Sequence, residues 1–371
     1  MALSSVLTHI TKLSAIVIFL SYLIYFSNDR EYINYDAIPY VAAAYLIKNN
    51  NIDEAHNYTW SLLKRKTAPE IYDDLCCGNI YKKSMSSNKE AFFSHLPAYA
   101  SKSGYVYLVR MVADLFDKDE YQAMKIISQL SIILVVLIAS MLFYNRNTFI
   151  FLSIFPLFIL SQVLALSRLL SPDALIALIL LASTVLILKN KINLGLALMM
   201  CLIVLRQNNI IFFGLGTLLL LKERNFLNFT VWCAAGLSLY FYNSYQFESL
   251  GYWKSFHSTL IYLPSTFVNY DPPFSLSIYF NLLGEKFLWM LTDRELNRFI
   301  AIIIFNSIIS LYFFTKLKPE EPKDIELAAI FSFGMIISYL MFPIPDQRLY
   351  TGAIIASSLM ILNVITRNKL K

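Results

Sequence analysis

Three acids follow closely on the first apolar run of the chain. That run covers residues 10–26, and Asp29, Glu31 and Asp36 come directly after it, in the stretch NDREYINYDAIPYVAAAY. A carboxylate held beside a membrane exit can take the proton of an attacking hydroxyl, so each acid is a candidate general base. Asp36 is the first choice, because it lies close to the span and directly before a helical pattern that can fix its backbone. Asp29-x-Glu31 also has the spacing to hold a divalent cation, although two acids alone make a weak ligand set. No other metal-ligand spacing occurs: His56, His95 and His257 are scattered and read as surface histidines, and no CxxC pair is present.

Three arginines form a second set. Arg168 precedes Ser171-Pro172-Asp173, Arg206 precedes Gln207-Asn208-Asn209, and Arg348 closes the run Pro345-Asp346-Gln347-Arg348. Each stands at the end of an apolar span, where charge is costly, so function is a reason to keep it there. A guanidinium is planar and permanently charged, and it binds phosphate through a fork. Converging arginines can hold one phosphate and stabilise charge that departs with it. Asp173 joins this set, and Tyr40 offers a ring face on which a sugar can stack.

Bland readings exist for each residue. Asp36 can cap the helix that begins at Ala37. Ser171, Pro172 and Asp173 can be an N-cap, a first-turn proline and a dipole-matched acid. The arginines can snorkel to the interface. Asp117 and Asp119 read as solvated.

The elements that must position these groups are membrane spans. The chain is 57% hydrophobic and only 15% charged, more apolar surface than a soluble core of 371 residues can bury. Net charge is +6, and the basic residues lie in short clusters between apolar runs, so no nucleic-acid stripe exists. The spacing predicts an all-α polytopic protein with about ten transmembrane helices forming a single domain over residues 1–371. The spans fall at 10–26, 122–144, 148–165, 172–188, 192–205, 210–221, 227–243, 299–315, 325–342 and 349–365. The first reads as a retained signal anchor, since no small-residue cleavage site follows it. Two of the others, 192–205 and 210–221, are short for a span of about 20 residues.

Two long polar loops complete the plan. Residues 27–120 carry amphipathic pieces at 37–48, 52–66, 89–99 and 105–116 that suit the membrane interface. Residues 244–298 contain a further apolar piece, 278–291, which can span, re-enter or lie flat. Basic clusters at 145–147, 189–191, 222–224, 316–318 and 367–371 occupy alternate connections. With the N-terminus inside and 278–291 not spanning, all of them are cytoplasmic, in keeping with the positive-inside rule, which turns both long loops and the three arginines outward. Cys201 and Cys233 read as small hydrophobes within spans, and Cys76-Cys77 as unbridged neighbours.

With these residues in view, the chain resembles the GT-C class of integral membrane glycosyltransferases. Residues 35–45, YDAIPYVAAAY, are similar to the segment that carries the catalytic acid there, and PDQRLY at 345–350 is similar to an arginine-bearing element before a late span. The resemblance implies transfer of a sugar from a polyprenyl-phosphate carrier to a glycan, lipid or protein acceptor. It implies a carboxylate in the first outer loop as base, no obligatory cofactor, and a multi-pass protein of the bacterial inner membrane whose site faces the periplasm. The chain departs from the pattern in lacking a tandem Asp-Glu pair. A flippase for a lipid-linked sugar is the rival reading, though no internal repeat of the transporter kind is evident. An oligosaccharide polymerase or ligase would need the same arginines.

Overall fold

The computed structural model of the chain describes residues 2–29, 34–316, 323–344 and 346–368. Among them every regular element is helical and there is no strand. The first long helix, α1 (Ala2–Asp29), is followed by a run of shorter ones: α2 (Ala37–Asn49), α3 (Ile52–Lys66), α4 (Pro69–Cys77), α5 (Ile80–Ser87), α6 (Lys89–His95), α7 (Pro97–Ala100) and α8 (Ser103–Phe116). A bundle then follows: α9 (Glu120–Phe143), α10 (Thr148–Leu160), α11 (Val163–Leu166), α12 (Asp173–Leu188), α13 (Ile192–Leu205), α14 (Ile210–Lys222) and α15 (Phe226–Gln246). The chain closes with α16 (Tyr252–Leu260), α17 (Leu276–Thr292), α18 (Arg294–Lys316), α19 (Lys323–Met341) and α20 (Arg348–Asn368).

Among the described residues four helices are long and apolar enough to cross a membrane: Ser5–Asn28 within α1, α9, α19, and Arg348–Thr366 within α20. Thr148–Leu160, Asp173–Leu188, Ile192–Leu205 and Ile300–Tyr312 are apolar but shorter. At 1.5 Å per residue, α13 is about 21 Å long against a hydrocarbon thickness of about 30 Å. The expected span at 148–165 is not one helix. It breaks at Ser161 and Gln162, where Gln162 takes a left-handed φ of 59°, and α11 starts afresh. Pro156 inside α10 removes one backbone donor just before the break.

Helix termini are fixed by side chains in several places. Asn51, Asn79, Asn88, Asp119, Asn147 and Asn225 each accept a backbone N–H two or three residues into the following helix. Asp119 is therefore a cap rather than a solvated acid, and it also pairs with Lys66 at 2.8 Å. At the far end of α1, the Lys12 ammonium donates to the carbonyls of Tyr144 and Arg146, both at 2.6 Å. It neutralises the end of α9 and ties the start of the chain to the 145–147 turn.

The segment between α1 and α9 packs more deeply than expected. Residues Ala37 to Ala44 of α2 are all buried, so α2 is a core helix and not an interfacial one. Small side chains allow this: Ala37, Ala42, Ala43 and Ala44 admit neighbours on every side. The expected piece at 52–66 is α3, the one at 89–99 divides into α6 and α7, and α4 and α5 are additional. His56 and His95 are buried rather than surface residues, and Cys76 and Cys77 are joined as a vicinal disulfide. The apolar piece at 278–291 lies within α17.

One contact in the bundle sets the position of the site. A Cβ added at Gly352 of α20 would stand 2.8 Å from the Cα of Ala177 on α12, so the two backbones touch there. Small residues at helix crossings permit such approach. Arg348 and Asp173 lie one turn before Gly352 and Ala177 on their respective helices, so the crossing brings both toward one place. Gly352→Leu is expected to destabilise the protein by about 1–3 kcal/mol, the usual cost of overpacking, and Gly352→Ala already to cost part of that, because its Cβ meets the Ala177 backbone. A thermal midpoint in detergent that is the same for Gly352→Leu and the parent would refute this packing.

Candidate active site: a carboxylate–arginine recess

Asp36 sits in the turn between α1 and α2. The turn is anchored by Asn34, whose Oδ1 accepts the Leu170 backbone N–H at 3.0 Å across the bundle. Asp36 occupies the N-cap position of α2 but its side chain does not cap. The carboxylate turns away to Arg348 instead: Oδ2 stands 2.8 Å from Nη1. The Tyr99 hydroxyl approaches its other oxygen at 3.5 Å. Arg348 opens α20 and is shared between two acids, with Nε 2.6 Å from Asp346 Oδ2. Asp346 also accepts the Arg348 backbone N–H at 3.2 Å, so it fixes both the helix start and the side chain.

A second pair lies behind the first. Arg206 follows the end of α13 and reaches Asp173, with Nη2 2.9 Å from Oδ1. The Ser171 hydroxyl donates to the other oxygen of Asp173 at 2.7 Å, so Ser171 serves the acid rather than the helix end. Asp173 is 2% exposed and Arg206 16%. The Arg206 Nε is buried without a hydrogen-bond partner, which leaves donor capacity unused. Next to Arg206, the side chain of Gln207 donates to Ser244 and accepts from Ser249, fastening this corner to the end of α15.

Two cavities meet at Asp36 and Arg348. The smaller, about 450 Å³, is lined by Tyr99, Lys102, Arg206, Gln207 and Asp346 as well as that pair. The larger, about 920 Å³, adds Tyr35, Lys82, Gln162, Arg168, Lys286 and Trp289. The expected single cavity for all three arginines is therefore divided: Arg206 lines one part, Arg168 the other, and Arg348 both. Arg168 lies over the Phe26 ring at 4.9 Å from its centre.

Other expected site residues fall elsewhere. Tyr40 is wholly buried, edge-on to Tyr99 and Tyr105 at 5.4 and 5.0 Å between ring centres, so it offers no face to a sugar. It supports the wall instead. Glu31 lies outside the described residues, as does the side chain of Asp29, so the Asp29-x-Glu31 metal reading falls there too. Among the described residues no group of three or more His, Cys, Asp or Glu could hold a metal ion. Lys102, Tyr99 and Asp346 were not foreseen. Lys102 stands in Ser101-Lys102-Ser103, which reads like any solvated loop, while Asp346 lies within the PDQRLY element, where the arginine is the residue whose charge draws notice.

Charge in the recess is nearly balanced but uneven. Burial would push the Asp36 carboxyl up, yet Arg348, Lys102 and Arg206 together hold it below the usual carboxylate range. Asp36 therefore stays ionised across neutral pH and is a weak base while Arg348 holds it. The recess presents a carboxylate to whatever enters the adjoining space.

No protein-family model, curated protein or solved structure matches the chain. Fold and site thus define the class directly: among the described residues every element is helical, four helices are able to cross a membrane, and a partly exposed acid–arginine recess lies between them.

Proposed function

We propose that this protein is an integral membrane glycosyltransferase of the GT-C kind. It moves a sugar from a polyprenyl-phosphate carrier to a glycan, lipid or protein acceptor of the cell envelope. The observation that carries the reading is the Asp36–Arg348 pair at the junction of two cavities. A transferase must bring an anionic donor and a nucleophilic acceptor to one carboxylate, and this junction suits that task. About ten helices cross the membrane, the shorter ones α12 to α14 ending beneath the surface so that the recess lies at headgroup depth. The basic connections face the cytoplasm and the recess faces the periplasm of a bacterial inner membrane.

In this mechanism Arg348 and Arg206 hold the donor phosphate. The acceptor hydroxyl attacks the anomeric carbon from the face opposite the phosphate. The new carbon–oxygen bond forms as the carbon–oxygen bond to phosphate breaks, the electron pair leaves on the phosphate oxygen, and Asp36 takes the hydroxyl proton. One displacement inverts the anomeric configuration. No cofactor takes part. The arginines stabilise a charge that becomes localised only as the bond breaks, the property that makes such contacts catalytic.

The test uses the purified protein in proteoliposomes, with a radiolabelled sugar on a polyprenyl phosphate and extracted envelope glycolipid as acceptor. Transfer of label to acceptor with release of polyprenyl phosphate is expected. Passage of the intact lipid-linked sugar across the bilayer, with none consumed, would replace this reading with a flippase.

A further inference from the structure

Lys102 has no carboxylate partner among the described residues within ion-pair distance, although it sits in a recess with three acids. Its ammonium instead lies over two rings, 4.7 Å from the centre of Tyr99 and 5.1 Å from that of Tyr40. Its backbone is fixed as the residue that precedes α8. It lines the smaller cavity beside Arg206 and Arg348. Aromatic faces hold a cation in place without neutralising it. Three cations thus face one space of about 450 Å³, where the lining acids are Asp36 and Asp346 and both are engaged by Arg348. Asp173 is committed to Arg206. A structural lysine would be expected to have taken one of these acids.

We propose that Lys102 is the protonatable member of a phosphate site completed by Arg206 and Arg348, so that a singly charged phosphodiester binds there with an affinity set by the charge of that one ammonium. This rests on the phosphate-holding part of the reading above and not on sugar transfer. Arginine keeps its charge at all working pH values, whereas lysine loses its own when desolvated. Burial, Arg206 and Arg348 pull the Lys102 ammonium down, Asp36 and Asp173 push it back up, and it settles at about 8. Tyr40 and Tyr99 face it from α2 and α7, with Tyr105 of α8 behind Tyr40, while Tyr81 and His95 line the same cavity and carry no charge at that pH. The direction follows. Below about pH 8 the free site carries the third cation and binding is strongest. Above it, binding must first recover a proton, so affinity falls as pH rises, until the pH at which the occupied site would also lose it.

Methyl farnesyl phosphate is a suitable probe, because a phosphodiester keeps one charge throughout this range. Its dissociation constant is measured by calorimetry on the full chain in detergent between pH 6.5 and 9.5. The parent protein is expected to weaken by about tenfold from pH 7.5 to 9.5, the equivalent of about 1.4 kcal/mol. Lys102→Arg should bind tightly with no such fall. Lys102→Met should already bind about tenfold more weakly at pH 7 and also show no fall, with an unchanged thermal midpoint as the check on folding. Equal affinity and equal pH dependence for Lys102→Met and the parent would overturn the proposal, as would no binding by the parent at any pH. Dimethyl phosphate binding with the same pH slope at lower affinity assigns the effect to the phosphate rather than the lipid tail, and supports it. The full binding pattern in a protein that transfers no sugar leaves this site standing and removes the transferase.

Discussion

Asp36→Asn is expected to lower sugar transfer by roughly two to four orders of magnitude, the usual share of general-base catalysis. The amide keeps the size of the side chain and can still accept from Arg348 and Tyr99, so the protein should insert and fold. It cannot take the acceptor proton. The side chain does not cap α2, so no helix-start effect complicates the result. Because Arg348, Lys102 and Arg206 hold the carboxyl below its usual range despite its burial, the acidic limb of activity due to Asp36 should lie below that of an ordinary aspartate. The carboxylate is ionised above its lowered value and is lost only as pH falls through it. Near-normal transfer by the asparagine variant, with Glu31→Gln inactive, would move the base to Glu31.

Arg348→Lys is expected to cost two to three orders of magnitude in kcat, comparable to losing one donor at a developing negative charge. Charge is retained, but the fork that reaches Asp36 through Nη1 and Asp346 through Nε is not. The resting geometry adds a second reason. An arginine bound to the base weakens that base, and a phosphate that draws the guanidinium aside returns basicity to Asp36 at the moment of attack. Lysine, with one nitrogen, cannot move toward phosphate and keep its hold on Asp346. A kcat for Arg348→Lys within threefold of the parent would exclude both roles.

Much of the helical plan was legible because continuous apolar runs have few alternatives. The segments predicted as spans are helical, at α1, α9, α10 with α11, α12 to α15, and α18 to α20, with ends shifted by a few residues, and four of these helices are long and apolar enough to cross a membrane among the described residues. The break at Ser161 and Gln162 was not legible, since a left-handed residue leaves no mark in hydrophobicity. Nor was the burial of α2: alanines read as neutral, and only the neighbours decide whether they are covered. The acids and arginines stood out because charge beside an apolar run is costly and demands a reason. Which of them meet was hidden, because Asp36 and Arg348, or Asp173 and Arg206, are joined by topology and not by spacing. Tyr40 misled for a related reason, since sequence cannot tell a tyrosine that faces a cavity from one that backs its wall.

The Asp36–Arg348 pair also has a bearing on how the protein is made. Its two halves come from opposite ends of the chain, one just after the first helix and the other at the start of the last. At about 5–20 residues per second, tens of seconds of translation separate them. Throughout that interval the acid waits without its arginine, and no ordering of the earlier helices can supply it. The pair therefore forms in one step, when α20 packs against α12. A nascent chain halted before Arg348 has nearly all of the described helices and an Asp36 with no Arg348 to hold it.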